Sequence, residues 1–209
     1  MTKTVTFCFD FGSPYSYLAY KNLNSITETG AIVDLKPVLV GGIFKSTDNR
    51  PPLAIPKKFA YLAKDMARWS SSIGVEIKMN PYFPIITVPH MRGAILAKKL
   101  NLLEIYTEKM FDAIWVKALN LNDQMIMSDV AIDSGIDGND FAEGIMSEEI
   151  KEGLKTNTQY ALDNGAFGVP TFYFNNEMYW GIDSMKFLAE DLNKWSLLIF
   201  IKVSSYYRS

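Results

Sequence analysis

The sequence is poor in residues that do chemistry unaided. It holds one cysteine, Cys8, and one histidine, His90. A single thiol excludes an intrachain disulfide and any cysteine-rich metal site. A Ser-His-Asp triad would have to use His90, and a metal centre would have to be mostly carboxylate, so no metal site is expected. Charge of one sign is also lacking: 21 Lys and Arg stand against 23 Asp and Glu, for a net charge of −2. That balance points neither to nucleic acid nor to an anionic membrane surface. No stretch approaches the roughly 18 apolar residues of a membrane-spanning helix. The C-terminal WSLLIFIKVSSYY is apolar but short, and reads as a packed terminal segment or an oligomer contact. The opening MTKTVTFCFD has no apolar core of the secretory-signal kind, so a cytoplasmic location is expected. If the protein catalyses a demanding reaction, a cofactor is expected to bring the reactive group.

The 209 residues are 48 % hydrophobic, which suits one domain or one domain with a large insertion. TVTFCFDF, residues 4 to 11, alternates as a strand does, with Val5, Phe7, Phe9 and Phe11 on one face. Cys8 falls mid-strand and reads as a small buried hydrophobe. Ser13-Pro14 then reads as N-cap and first helical residue. The helix is expected to run to about Thr29, with Gly30 as its stop. AIVDLKPVLVGG, 31 to 42, reads as a second strand, parallel to the first. From about 50 to 164 the patterns are helical, including one helix with Phe59, Leu62, Ala63, Met66 and Ile73 on its inner face. Strands return at PTFYFNNEMYWG, a hairpin whose Asn-Asn pair fits a type I′ turn. A last helix follows, capped by Asp183 or Ser184. The expected fold is α/β, a thioredoxin-like βαβ-ββα core with a large all-helical insertion. Residues 1–45 and 165–209 would form the discontinuous core domain and 46–164 the insertion.

Few residues in this frame are placed for chemistry. Ser13 is a good N-cap, and capping alone accounts for it. A helix N-terminus also carries unpaired N–H groups and partial positive charge. A serine hydroxyl there can donate to a thiolate that belongs to another molecule, at about 1.5–3 kcal/mol. Val169-Pro170 precedes the hairpin, where proline is tolerated. In a thioredoxin core, the backbone before this proline faces the helix terminus and can pair with an added peptide. Asp183 could bind an ammonium group. Asn49 and Lys58, in and after the loop KSTDNRPP, could bind an amide and a carboxylate, or the loop could be a solvated connector. His90 reads as a satisfied helix-start residue.

FDFGSPYSYLAY, VGGIFKSTDNRPP and GAFGVPTFYFNNEMYWGID together resemble the 2-hydroxychromene-2-carboxylate isomerases and the kappa-class glutathione transferases. The resemblance runs in order up to about Trp195. It implies that Ser13 faces the sulfur of glutathione and that Val169, before a cis Pro170, pairs with the cysteinyl unit. It implies that Asp183 and the backbone of Ile182 hold the γ-glutamyl end, and that Asn49 and Lys58 hold the glycyl end. The activity implied is glutathione-dependent isomerisation in aromatic degradation. The thiolate adds to the conjugated chromene, the ring opens, a C–C bond rotates and the thiolate leaves, giving trans-o-hydroxybenzylidenepyruvate. A homodimer is implied as well. A transferase or peroxidase acting on electrophiles would use the same Ser13 and the same glutathione. A dithiol oxidoreductase would need cysteines where Ser13 and Ser16 stand, so on that side only a fold that has lost its catalysis is open.

Overall fold

The computed structural model describes the backbone of residues 2–206 and the side chains of residues 2–195. The apolar C-terminal stretch from residue 196 onward, and with it the expected oligomer contact, lies outside the described side chains.

Four strands form one mixed sheet in the order β2-β1-β3-β4. β1 (Thr4–Phe9) pairs parallel with β2 (Ile32–Pro37), with Phe7 opposite Leu35. It pairs antiparallel with β3 (Thr171–Phe174), with Phe7 opposite Phe172. β3 turns back into β4 (Glu177–Trp180) through Asn175 and Asn176, at φ 52° and 65°. Both turn residues have positive φ, as a type I′ hairpin requires.

β1 is the central strand, and both of its faces are covered. Val5, Phe7, Phe9 and Phe11 are fully buried on the expected inner face. On the other face Cys8 packs with Val38, Ile43 and Ala161, and burial pushes its thiol up to about 12. Cys8 is therefore a packed small hydrophobe.

Between the two halves of the sheet every element is helical. α1 (Pro14–Lys21) and α2 (Asn24–Thr27) lie between β1 and β2, and α3 (Val40–Ser46) follows β2. The middle holds α4 (Pro56–Ile73), α5 (Val88–Lys99), α6 (Leu103–Trp115), α7 (Gln124–Asp133), α8 (Gly138–Gly144) and α9 (Glu148–Asp163). α10 (Met185–Tyr206) follows the hairpin. This is a thioredoxin-like α/β fold with a large helical insertion. One apolar cluster joins sheet and helices: Phe7 and Phe172 belong with Tyr106, Ile114 and Phe141. Gly93 on α5 leaves room for Tyr106 and Phe141, whose rings occupy the space a side chain would need.

Local differences from the sequence pattern have physical causes. The single helix expected from Pro14 to Thr29 is two helices with a break at Asn22 and Leu23, though Gly30 does end it, at φ +80°. The second strand stops at Pro37 and does not continue to Gly42. Beyond it the Val38, Leu39 and Val40 N–H groups donate to the Phe9 carbonyl, Thr158 Oγ1 and Asp10 Oδ2, and the chain enters α3. Gly41 and Gly42 lie inside that helix, where Gly42 packs on Thr158. On α4, Leu62 and Met66 are buried while Phe59 and Ala63 are exposed. Ahead of α10 a short 3₁₀ turn (Ile182–Ser184) holds Asp183, and Ser184 Oγ donates back to the Gly181 carbonyl at 2.9 Å.

Phe111 is the joint between α6 and the β1–α1 unit. Its ring lies 4.9–5.9 Å from those of Phe9, Phe11, Tyr17 and Tyr20. Truncating a buried phenylalanine removes its transfer free energy and leaves a cavity. Phe111→Ala is expected to lower unfolding stability by about 3–5 kcal/mol, read from the denaturant midpoint at unchanged m-value.

Candidate functional site

The site begins where β1 ends. Asp10 is fully buried there. Its Oδ1 accepts the Gly12 N–H at 2.8 Å, its Oδ2 accepts the Val40 N–H at 2.9 Å, and the Thr87 hydroxyl lies beside it. Burial pushes its carboxyl above the usual range, against the pull of those hydrogen bonds. The Asp10 carbonyl accepts the Ser13 N–H at 3.0 Å, which closes the turn into α1.

Ser13 is the N-cap of α1, with Pro14 in the first turn. Its Oγ accepts the Ser16 N–H at 3.1 Å and donates to the Val169 carbonyl at 3.3 Å, a residue 156 positions away. The Val169–Pro170 peptide is cis. The Pro170 carbonyl accepts the Gly181 N–H at 2.9 Å, whereas the Val169 N–H has no partner among the described residues. No thiol stands at either outer position of SPYS: Ser16 is fully buried, and its hydroxyl has no partner among the described residues.

A cavity of about 860 Å³ opens at this junction. Ser13, Asn49, Lys58, Val169, Pro170, Ile182 and Asp183, singled out from sequence, all line it. Asn49 Nδ2 donates to the Phe167 carbonyl at 2.8 Å, tying its loop to the arm that carries Val169. That leaves one amide hydrogen of Asn49 over. Lys58, in the first turn of α4, has no carboxylate partner among the described residues. Arg50 beside Asn49 is likewise unpaired, and so is Asp183 across the cavity. Two unpaired cations and one unpaired anion thus share one space with an open peptide N–H.

The cavity is also lined by apolar and aromatic side chains that no sequence signal above singled out. They include Tyr15, Trp69, Phe83, Ile85 and Val88. Tyr15 Oη donates to Asp65 Oδ2 at 2.8 Å and Tyr61 Oη to Asp65 Oδ1 at 3.2 Å. Burial, reinforced by that bond to Asp65, pushes the Tyr15 phenol well above its ordinary range. Lys58, Tyr61, Leu62, Asp65 and Trp69 follow each other at helical spacing, and a stripe of that kind could have been read from the sequence. Phe83 and Ile85 sit on an irregular segment that carries no such pattern.

His90 does not line the cavity. It is buried, and Nε2 donates to the Leu121 carbonyl at 2.9 Å. Among the described residues, no helix is long and apolar enough to cross a membrane.

Fold and site together define a thioredoxin-like protein with serine in place of a redox thiol. The model of the DSBA-like thioredoxin domain matches residues 4–193, and the chain belongs to that family. It is 28 % identical over 196 residues to a 2-hydroxychromene-2-carboxylate isomerase of Sphingobium xenophagum, across 92 % of this chain and 99 % of that one. It is 26 % identical over 213 residues to the glutathione S-transferase kappa 1 of Homo sapiens, across 93 % of each. Among solved structures it is similar to a 2-hydroxychromene-2-carboxylate isomerase at TM-score 0.79 and 22 % identity, covering 92 % of this chain and 96 % of that one.

Burial lowers the pKa of His90 from 6.5 to about 4. An unfolded chain takes up this proton near 6.5, while the folded one resists until about 4. The unfolded state is therefore favoured as pH falls through that window. Wild-type protein is expected to lose on the order of 3 kcal/mol of stability to this group on acidification. Denaturant titrations at neutral and mildly acid pH should show that His90→Gln flattens this part of the profile.

Proposed function

We propose that the protein is a glutathione-dependent enzyme, an isomerase of 2-hydroxychromene-2-carboxylate or a similar intermediate of aromatic degradation. The observation that carries this reading is the convergence of Ser13 Oγ with the Val169 backbone at the mouth of α1, inside a cavity with unpaired charges of both signs. The residues present fit a zwitterionic tripeptide. Asp183 offers an anion for the ammonium group, with the Ile182 backbone beside it. Lys58 offers a cation for the glycyl carboxylate, and Asn49 keeps one free amide hydrogen. The open N–H of Val169, held by cis Pro170, can pair with the middle peptide as an added strand would. The cavity also has the size of ordinary small-molecule sites, roughly 300–1,000 Å³.

Glutathione supplies what the chain lacks, a nucleophilic thiol that can add reversibly to a conjugated acceptor. The chain's own residues hold it ready. Ser13 Oγ turns its hydrogen from the Val169 carbonyl to the sulfur, and the N-terminal peptide groups of α1 favour negative charge there. Tyr15, Trp69 and Phe83 bound the space left for a flat acceptor and keep water from it. The proposal includes a homodimer, as the resemblance implies, and a cytoplasmic location, as the opening MTKTVTFCFD leads one to expect.

A second reading is a kappa-like glutathione transferase or peroxidase. The apolar and aromatic lining of the cavity favours it, since such side chains suit an electrophile without a carboxylate as well as one with it. The two readings share Ser13 and the glutathione site. Turnover of 1-chloro-2,4-dinitrobenzene in preference to a chromene carboxylate would mark the transferase.

Calorimetric titration with glutathione tests the common claim. Asp183→Ala is expected to weaken binding about tenfold, as loss of one charge-assisted contact would. Ser13→Ala is expected to keep binding within a few-fold while lowering turnover by about 10- to 100-fold. Absence of binding at millimolar glutathione, or full turnover in Ser13→Ala, would overturn the reading.

A further inference from the structure

One wall of the cavity is built from chain that has no secondary structure of its own. Phe83, Pro84 and Ile85 line the cavity, while Tyr82 and Ile86 on either side are exposed. Residues 75–87 contain no helix or strand. The peptide groups of such a segment must find partners elsewhere. Two asparagines supply them. Asn80 Oδ1 accepts the Tyr82 N–H at 2.8 Å, and its Nδ2 donates to the Ile114 and Leu119 carbonyls at 3.0 and 2.9 Å. Asn122, in the loop between α6 and α7, does more. Its Nδ2 donates to the Tyr82 and Pro84 carbonyls at 3.2 and 3.3 Å, and its Oδ1 accepts the Ile86 N–H at 3.0 Å.

An asparagine amide offers two hydrogens and one acceptor oxygen. Asn122 uses all of them on three alternate residues of this wall. It is exposed and does not line the cavity, so neither core packing nor contact with a bound molecule accounts for it. The wall it holds is also registered on the reacting end of the site. The Phe83 ring lies 5.7 Å from that of Trp115, whose indole N–H donates to the Phe11 carbonyl at 2.8 Å, two residues before Ser13.

We propose that Asn122 is a positioning residue for the acceptor substrate. By clamping Tyr82 to Ile86 it fixes Phe83 in the cavity wall that Tyr15 and Trp69 also line. The ring-lined space so shaped selects a flat, apolar ring system. This inference rests on the functional reading above for the identity of the acceptor, though the clamp itself stands on hydrogen bonds alone.

The test compares wild type, Asn122→Ala and Asn122→Asp. The aspartate keeps an oxygen for the Ile86 N–H and loses both donor hydrogens. Three quantities are read: glutathione affinity by calorimetry, affinity for 1-chloro-2,4-dinitrobenzene by quenching of tryptophan fluorescence without glutathione, and amide exchange at Ile86. Asn122→Ala is expected to weaken ring-compound binding, and to raise its KM, about tenfold, with glutathione affinity within about twofold. Ile86 exchange is expected to quicken about tenfold in Asn122→Ala and to stay near wild type in Asn122→Asp. Unchanged ring affinity, an equal loss of glutathione affinity, or no ring binding by wild type would overturn the inference. Failure of wild type to bind glutathione would sink the functional reading instead. The ring-compound and exchange comparisons would still decide the clamp.

Discussion

A buried carboxyl group is costly to leave unpartnered, and this fold pairs one at the point where its site is assembled. Asp10 follows β1, and its two oxygens accept N–H groups from the turn into α1 and from the start of α3. Thr87, at the start of α5, stands beside it. Three segments far apart in sequence thus meet on one side chain. A buried N–H left without an acceptor costs about 1–3 kcal/mol, and Asp10 supplies the acceptor for two of them. These hydrogen bonds also leave the three segments little freedom to drift. The position of Ser13 follows, because its own N–H is held by the Asp10 carbonyl.

From that anchor the cavity wall presents two sets of groups. One set is polar: Asn49, Arg50, Lys58, Asp183 and the open peptide group of Val169. The other set is rings, among them Tyr15, Tyr61, Trp69, Phe83 and Trp180. The first set suits a charged peptide that must be held in one register. The second suits an apolar partner that needs shape more than hydrogen bonds. The one thiol and the one imidazole of the chain, Cys8 and His90, both lie buried away from this junction. On the proposed reading, the contribution of the chain is to place and ionise a thiol that another molecule brings.

Much of the polar set was legible in sequence, and for a local reason. Ser13-Pro14 after an alternating strand fixes a helix N-terminus. Val169-Pro170 before a hairpin fixes where the opposite arm must start. These signals depend on a few adjacent residues, and the sheet then brings them together. The ring set was not legible in the same way. Tyr61, Asp65 and Trp69 lie on a helical stripe, but the apolar face of α4 was read one step around the helix, so Phe59 and Ala63 were placed inward. Asn122 and Phe83 meet only through the packing of α5, α6 and their loops. No periodicity marks a polar side chain that satisfies another loop's backbone. The early end of β2 had the same origin: Pro37 and the pull of Thr158 and Asp10 on the Leu39 and Val40 N–H groups override the apolar run Val38-Leu39-Val40.

The central claim is that Ser13 and the α1 N-terminus hold a borrowed thiol as its thiolate. The most direct test is the ultraviolet thiolate absorbance of the protein–glutathione complex, followed as a function of pH. The account predicts that the bound thiol titrates about one to two units below free glutathione, and that Ser13→Ala returns it most of the way. A bound thiol that titrates as it does in water, with or without the serine, would contradict the account and leave Ser13 as a helix cap alone.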